Sequence, residues 1–464
     1  MNKTEKHLLL INPWIYDFAA FDYWMKPVGL LYIASYLREA GYHIHWIDCL
    51  DRHHPESPQP QRQTGQSRAY GTGKFLRQEI PKPSVLKDIP YHYCRYGMTE
   101  ESFCAILRRI PRPDAILVTA MMTYWYPGAA RAIELVKQIF PAAPVVLGGV
   151  YASLCRDHAV KTSGADYVII ERDPNAVVRV VDQIVGVVSQ AVYHVFPEHA
   201  PFPAYDLYPR LESVSLLTSV GCPYRCTYCA SQRLCPTFVQ RSPDAVFDEM
   251  RHYVVERRVR NIAFYDDALL VNAPHHLEPL LERVIEAKWP CFFHTPNGLH
   301  ARYINERLAQ LMFRAGFQSL RIGLETVDAE RQQHTGGKVT GDEFRQAIET
   351  LKRAGFQGHQ IGVYLFVGLP GQPLEETEAT IRFVNSLGVL ALLCEYSPIP
   401  GTPAHAQLVQ EGFLSEDDDP VIHNNTIFLY LKERHTFEQV QRLKDLTRAL
   451  NAPIKAQGLS AHHF

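Results

Sequence analysis

The chain has 464 residues, 46% of them hydrophobic and 21% charged, which excludes large-scale disorder and suggests two or three globular domains. Lysine and arginine total 47 against 49 acidic residues, so charge gives no support to nucleic acid or a membrane surface as partner. No apolar run approaches the roughly 20 residues of a spanning helix, and the opening Met-Asn-Lys-Thr-Glu-Lys-His has no cleavage pattern; the expected compartment is the cytoplasm, with thiols kept reduced.

The first part of the chain alternates strand and helix signals. A strand is predicted over 8–12, ending in Asn12-Pro13, then a helix over 28–40 that stops at Gly41. Further strands are predicted at 43–49, 115–120, 145–147 and 167–170, with helices over 128–139 and 175–185. This alternation implies a parallel sheet covered on both faces, an α/β Rossmann-like domain over 1–186 that takes its ligand at the carboxyl ends of the strands. Residues 53–97 break the rhythm with several prolines and read as an insertion or lid. Gly71-Thr-Gly-Lys74 within it lacks the spacing of a phosphate loop. Residues 187–210, rich in Pro, Tyr and His, read as a linker.

A second series follows. Strands are predicted at 213–220, 261–265, 291–294, 319–323, 360–367 and 390–396. Helices at 243–258, 274–288, 304–315, 341–354 and 374–387 separate them. Six such units over 211–403 predict a partial (β/α)6 barrel of TIM type, with its catalytic face at the strand carboxyl ends. Residues 404–464 read as a helical C-terminal tail, with a helix at 437–450.

Seven of the ten cysteines are scattered singly, whereas Cys222, Cys226 and Cys229 sit together in Gly221-Cys-Pro-Tyr-Arg-Cys-Thr-Tyr-Cys-Ala230, directly after the first barrel strand. Gly221 and Pro223 keep this segment out of regular structure, so that three sulfurs can converge. Three thiolates suit a four-iron cluster with one iron left open. Zinc is the alternative, with Cys235 near enough in sequence to be a fourth ligand.

The Cys-x3-Cys-x2-Cys pattern, with aromatic Tyr228 before its last cysteine and a six-unit barrel around it, resembles the radical S-adenosylmethionine (SAM) superfamily over residues 211–403. The resemblance implies a [4Fe–4S] cluster on Cys222, Cys226 and Cys229 as the catalytic centre. It implies that S-adenosylmethionine binds the open iron and yields a 5′-deoxyadenosyl radical, the electron coming from an external donor of flavodoxin or ferredoxin type. Cosubstrate contacts are implied for Tyr228, for Asp266 and Asp267 after the second strand, and for Asn297 and Arg302 after the third. Glu325 after the fourth strand and Gly368 after the fifth complete that set. Read without the resemblance, adjacent acids also make helix-capping turns, and glycines also simply turn the chain.

Ahead of the barrel, Asn12-Pro13, Lys26-Pro-Val-Gly-Leu-Leu-Tyr-Ile-Ala34, Leu147-Gly-Gly-Val-Tyr-Ala152 and Gly164-Ala-Asp-Tyr-Val168 resemble the cobalamin-binding domain of the cobalamin-dependent branch, the class B methylases among them. The resemblance implies cobalamin near Asn12 and Pro13, with Gly148 and Gly149 letting the backbone approach it. A generic doubly wound domain would use the same glycines for tight turns. The Asp-x-His-x-x-Gly motif of a cobalt-ligating histidine is absent, Glu171-Arg-Asp-Pro174 stands where relatives carry a glycine-rich turn, and His53 and His54 read as solvated loop residues. The expected function is methyl transfer to an unactivated carbon or phosphorus of a small molecule. The alternatives are radical oxidation, cyclisation or rearrangement without cobalamin, and a non-enzymatic cobalamin or redox sensor.

Overall fold

A computed structural model describes residues 6–56, 69–188, 194–430 and 434–460; parts of the insertion (57–68), of the 187–210 segment (189–193) and of the tail lie outside the described residues. The chain divides into two compact units, 1–212 with 419–422, and 213–418 with 423–464.

The first unit is built on five parallel strands, Lys6–Asn12, Tyr42–Asp48, Ala115–Ala120, Val145–Gly149 and Tyr167–Val168. In the sheet they lie in the order second, first, third, fourth, fifth. Leu8, Leu9, Leu10 and Ile11 are all fully buried, as a central strand covered on both faces requires. Helices Val28–Glu39 and Pro174–Val185 cover one face, packing Leu30, Leu37, Val177 and Val181 on Leu8, Leu10, Ile44 and Val146. The strand order reverses between the first and third strands, so the crevice such sheets use for ligands opens where Asn12 ends the first strand and Met121 follows the third.

The described part of the insertion is more ordered than a structureless lid. Arg77–Glu79 and Cys94–Tyr96 form a three-stranded antiparallel sheet with Ile15–Asp17. Three-residue strands are too short to display an alternation, so periodicity missed them. The helix Glu100–Leu107 also went unpredicted, although Thr99 caps it by accepting from the Ser102 amide at 3.2 Å. The described residues of 187–210 pack on this unit: Ser35 Oγ donates to the Phe202 carbonyl at 2.7 Å, Ala204 joins the core, and the Tyr208 hydroxyl donates to Asp48 Oδ2 at 2.6 Å.

The second unit holds six parallel strands in sequential order, Ser213–Leu216, Asn261–Phe264, Phe292–His294, Phe317–Glu325, Ile361–Val367 and Leu390–Glu395. Helices Pro243–Arg251, Leu277–Ala287, Glu306–Ala315, Gly341–Ala354 and Leu374–Ser386 alternate with them. The first of these helices passes into a π turn at His252–Glu256. Phe264, Phe293 and Phe317 pack together with ring centroids 5.3 to 5.8 Å apart. The first and last strands do not pair, so the barrel is partial and Leu390–Glu395 is an edge. The tail helix Phe437–Ser460 protects that edge. Asn451 Oδ1 accepts from the Ala391 amide at 3.0 Å, and its Nδ2 donates to the Ala391 carbonyl at 2.7 Å. No helix among the described residues is long and apolar enough to cross a membrane.

Candidate active site

The cysteine loop leaves the first barrel strand through a short antiparallel pair, Ser219–Val220 with Val239–Gln240. Gly221 turns the chain at φ 76°, where a β-carbon would lie 2.5 Å from the Thr237 carbonyl oxygen. Cys222 is buried and Cys226 and Cys229 are half-buried. Among the described residues the three sulfurs are not gathered within 4.8 Å of one another. Thiolates sharing one zinc, with bonds of about 2.3 Å, would stand about 3.8 Å apart. The Cys235 thiol is turned to the Thr237 carbonyl at 3.3 Å. Engaged there, Cys235 is not placed as the fourth ligand of a tetrahedral ion. Burial pushes the Cys222 thiol up to about 11 and raises that of Cys226, where the Lys338 ammonium opposes the shift.

Around the loop the expected cosubstrate residues fall into distinct roles. Asp266 is buried and accepts from the Thr218 amide at 3.0 Å, the Thr218 hydroxyl at 2.7 Å and the Ser219 hydroxyl at 2.6 Å. It therefore ties the second strand end to the base of the cysteine loop. Its neighbour Asp267 points outward and accepts from Ser231 Oγ at 2.8 Å, while the Ser231 amide faces Cys229 Sγ at 3.4 Å. Asn297 Nδ2 donates to the Tyr265 carbonyl at 2.8 Å, linking the second and third loops. Arg302, largely exposed, donates to the Gly337 carbonyl at 2.8 Å. Tyr228 packs its ring edge-on against Phe366 at 4.7 Å, and its hydroxyl is buried beside the Cys226 thiol and the Glu325 carboxylate. Gly368, at φ 86°, lies against Leu429: a β-carbon would come within 2.2 Å of that side chain.

Glu325 is buried at the end of the fourth strand and pairs with Lys338. Burial works against the Lys338 charge, yet Glu325 and the Cys226 sulfur hold its pKa above the usual lysine range. The segment Gly336-Gly337-Lys338 was not singled out from sequence, although it joins three site residues. Gly336, at φ 126°, presses on Cys226, where a β-carbon would lie 3.1 Å from Cα and 3.3 Å from Sγ. Gly337 receives Arg302, and Lys338 reaches Glu325. Its available signal was two glycines and a lysine on a loop after a barrel strand. The cradle around Cys226 and the charge beside it fit a cluster with a bound zwitterionic cosubstrate.

In the first unit, Asn12 Nδ2 donates to Asp48 Oδ1 at 2.7 Å, and Asp48 also receives the Leu50 amide at 2.9 Å and the Tyr208 hydroxyl. This buried network joins the carboxyl ends of the first two strands; burial pushes the Asp48 pKa up, with Lys26 opposing. Pro13 is buried beside it. Gly149, at φ 93°, is required by its own sheet, since a β-carbon would meet the Ala120 carbonyl oxygen at 2.7 Å, whereas one on Gly148 would make ordinary contact with Ile169 at 3.5 Å. Half-buried Ala20, Met25, Met121 and Trp125 pack on a small core of Ile15, Leu50, Phe75, Cys94 and Tyr96. His53 is not a solvated loop residue: its side chain is 19% exposed and Nε2 lies 3.1 Å from Glu212, whose carboxyl is held down at about 2 by the neighbouring imidazole. His54 is likewise half-buried, and burial lowers its pKa. In the Glu171–Pro174 turn, Asp173 caps the following helix by accepting from the Asn175 amide at 3.1 Å.

Residues 216–384 match the Radical SAM superfamily and residues 91–181 the B12 binding domain. The uncharacterized methyltransferase PH0819 of Pyrococcus horikoshii is 26% identical over 217 residues, and the match spans 44% of this chain and only 45% of that protein. Cytidylyl-2-hydroxyethylphosphonate methyltransferase of Streptomyces wedmorensis is 20% identical over 90% of this chain and 84% of its own length. The fold is shared with the radical SAM methyltransferase TsrM from Kitasatospora setae, solved with cobalamin and a [4Fe–4S] cluster bound (TM-score 0.66, 14% identity, 96% of this chain and 89% of that one). It is also shared with the cobalamin-dependent radical enzyme OxsB (TM-score 0.54, 12% identity, 95% of this chain and 56% of that one). The chain therefore joins a B12 binding domain to a radical SAM domain that carries the cysteine loop at its first strand end.

Proposed function

We propose that the enzyme transfers a methyl group to an unactivated carbon or phosphorus centre of a small molecule. The observation that carries this reading is the match to the phosphonate methyltransferase, which runs through both domains rather than through the barrel alone. When bound, the cluster and S-adenosylmethionine supply a 5′-deoxyadenosyl radical, and cobalamin supplies the methyl group. The chain's own residues do the positioning. Cys222, Cys226 and Cys229 would hold the cluster, and Lys338 favours the thiolate of Cys226 by placing a positive charge beside it. Asp267 fixes Ser231 against Cys229, and Glu325, ion-paired with Lys338, is the buried acid at the fourth strand end that would face the cosubstrate. Asn12, Asp48 and Tyr208 tie together the carboxyl ends of the first two strands of the first sheet. The electron comes from an external low-potential donor of the flavodoxin or ferredoxin type.

Anaerobic reconstitution with iron, sulfide and hydroxocobalamin, followed by incubation with S-adenosylmethionine and a reductant, tests the reading. Retained corrin and formation of both 5′-deoxyadenosine and S-adenosylhomocysteine are expected. Retained corrin with 5′-deoxyadenosine alone would favour radical oxidation or ring closure. That second reading draws on a match to the anaerobic magnesium-protoporphyrin IX monomethyl ester cyclase of Rubrivivax gelatinosus, 21% identical over 62% of this chain.

A further inference from the structure

The carboxyl ends of the first sheet carry the candidate cofactor site; the opposite end carries a second set of ligands. His7 lies near the start of the central strand, and His43 and His45 lie on the neighbouring edge strand. The parallel register sets His7 directly across from His43 and Leu9 across from His45. Strand alternation sends all three imidazoles to one face, while Leu8, Leu10, Tyr42 and Ile44 take the helix-covered face. The ring centroids are 4.9 Å apart for His7 and His43, 5.4 Å for His7 and His45, and 4.8 Å for His43 and His45. One nitrogen from each ring lies within 4.8 Å of the other two, the one such group of three ligands among the described residues.

One pair already stands at ligand spacing. His7 Nδ1 and His45 Nε2 are 3.2 Å apart. Two imidazoles on one tetrahedral zinc, with bonds of about 2.0–2.1 Å, place their ligand nitrogens about 3.3 Å apart. The backbone beneath is pinned: the His7 amide donates to Asp114 Oδ2 at 2.9 Å, and Lys6 Nζ reaches Asp114 Oδ1 at 2.8 Å. His43 is exposed and the other two are half-buried, so an ion can enter from solvent. Three neutral nitrogen donors without a carboxylate select borderline transition metals over magnesium or calcium, which prefer oxygen.

We propose that His7, His43 and His45 form a three-imidazole site for one divalent transition-metal ion of the zinc, cobalt and nickel class. The remaining coordination position stays open to water. The site lies five residues, about 17 Å of strand, from Asn12 and is separate from the cofactor end. The ion clamps the edge strand Tyr42–Asp48 to the central strand Lys6–Asn12, and so stabilises the sheet without taking part in radical chemistry.

Cluster-loaded protein, whose loop cysteines are already occupied, is dialysed anaerobically against zinc chloride. Bound zinc is then counted and its ligand shell read by zinc-edge X-ray absorption. One zinc beyond the cluster iron, with nitrogen and oxygen neighbours only, and a thermal midpoint raised by zinc are expected. His43→Ala and His45→Ala should each weaken zinc binding at least about tenfold, the scale seen even for outer-shell ligand partners. Iron content and 5′-deoxyadenosine formation should be unchanged in His43→Ala, which shows that the fold is intact. No stoichiometric zinc in the parent protein, sulfur in its ligand shell, or equal retention in both variants would overturn the proposal.

Discussion

Lys338 and Glu325 meet as an ion pair at the carboxyl end of the fourth barrel strand, and Gly323 makes room for both: a β-carbon there would lie 2.9 Å from Glu325 Oε1 and 2.9 Å from Lys338 Nζ. Glu325 itself holds a left-handed backbone, φ 67°, where the register with the next strand shifts. A non-glycine residue in that region costs on the order of 1–3 kcal/mol and persists only where its surroundings impose it. The ion pair is one such constraint.

Replacing Lys338 with Met strands a buried carboxylate. We expect a loss of about 3 kcal/mol in unfolding free energy and weaker S-adenosylmethionine binding, read by denaturant unfolding and equilibrium binding. Lys338→Arg, which keeps the charge, should recover part of both. An unchanged unfolding midpoint in Lys338→Met would remove the pair from the account of the site.

Gly336→Ala tests the cradle around Cys226. The added methyl meets Cys226 Cα at 3.1 Å on a backbone at φ 126°, so loop and sulfur must both move. Reconstituted Gly336→Ala should hold less iron per chain than the parent and show weaker cluster absorbance, while Gly337→Ala, strained at φ 58° but meeting only Gln333 Oε1 at 3.9 Å, should be milder.

The cysteines themselves divide three against one. Ala at Cys222, Cys226 or Cys229 should abolish cluster absorbance and reductive cleavage of S-adenosylmethionine. Ala at Cys235 should spare both, because that thiol is occupied with the Thr237 carbonyl. Loss of the cluster in Cys235→Ala would restore a four-thiolate site.

Acid should weaken the barrel through two buried histidines. Burial pushes His294 and His300 down to about 3, aided by Arg321 for the former and by Lys338 and Arg302 for the latter. Below the ordinary value near 6.5 the unfolded chain takes up protons that the folded chain refuses, so stability present above that pH is lost as pH falls towards 3. The slope is about 1.4 kcal/mol per pH unit for each histidine. Urea unfolding at pH 7, 6 and 5 should show this decline, and His294→Gln should flatten it by one histidine's share. Identical slopes in parent and variant would count against the assignment.

Much of the architecture is legible because its signals are local. The unbroken apolar run Leu8–Ile11 marks a strand buried on both faces, and helix periodicity ending at glycine marks its partners. The spacing of Cys222, Cys226 and Cys229 after a strand is equally local; it narrows the centre to a cluster or zinc, and the resemblance of the surrounding barrel favours the cluster. Tertiary structure alone decided which polar residues act together, since each pairing spans chain distances that no periodicity encodes. Lys338 reaches back 13 residues to Glu325, Thr218 meets Asp266 48 residues on, and Tyr208 closes on Asp48 across 160. Asp266 and Asp267 are neighbours in sequence, yet strand geometry turns one inward as an anchor and leaves the other beside Ser231 and the cysteine loop. The same reason hid the histidine group: His43 and His45 share a face by alternation, but only parallel pairing with the central strand brings His7 between them.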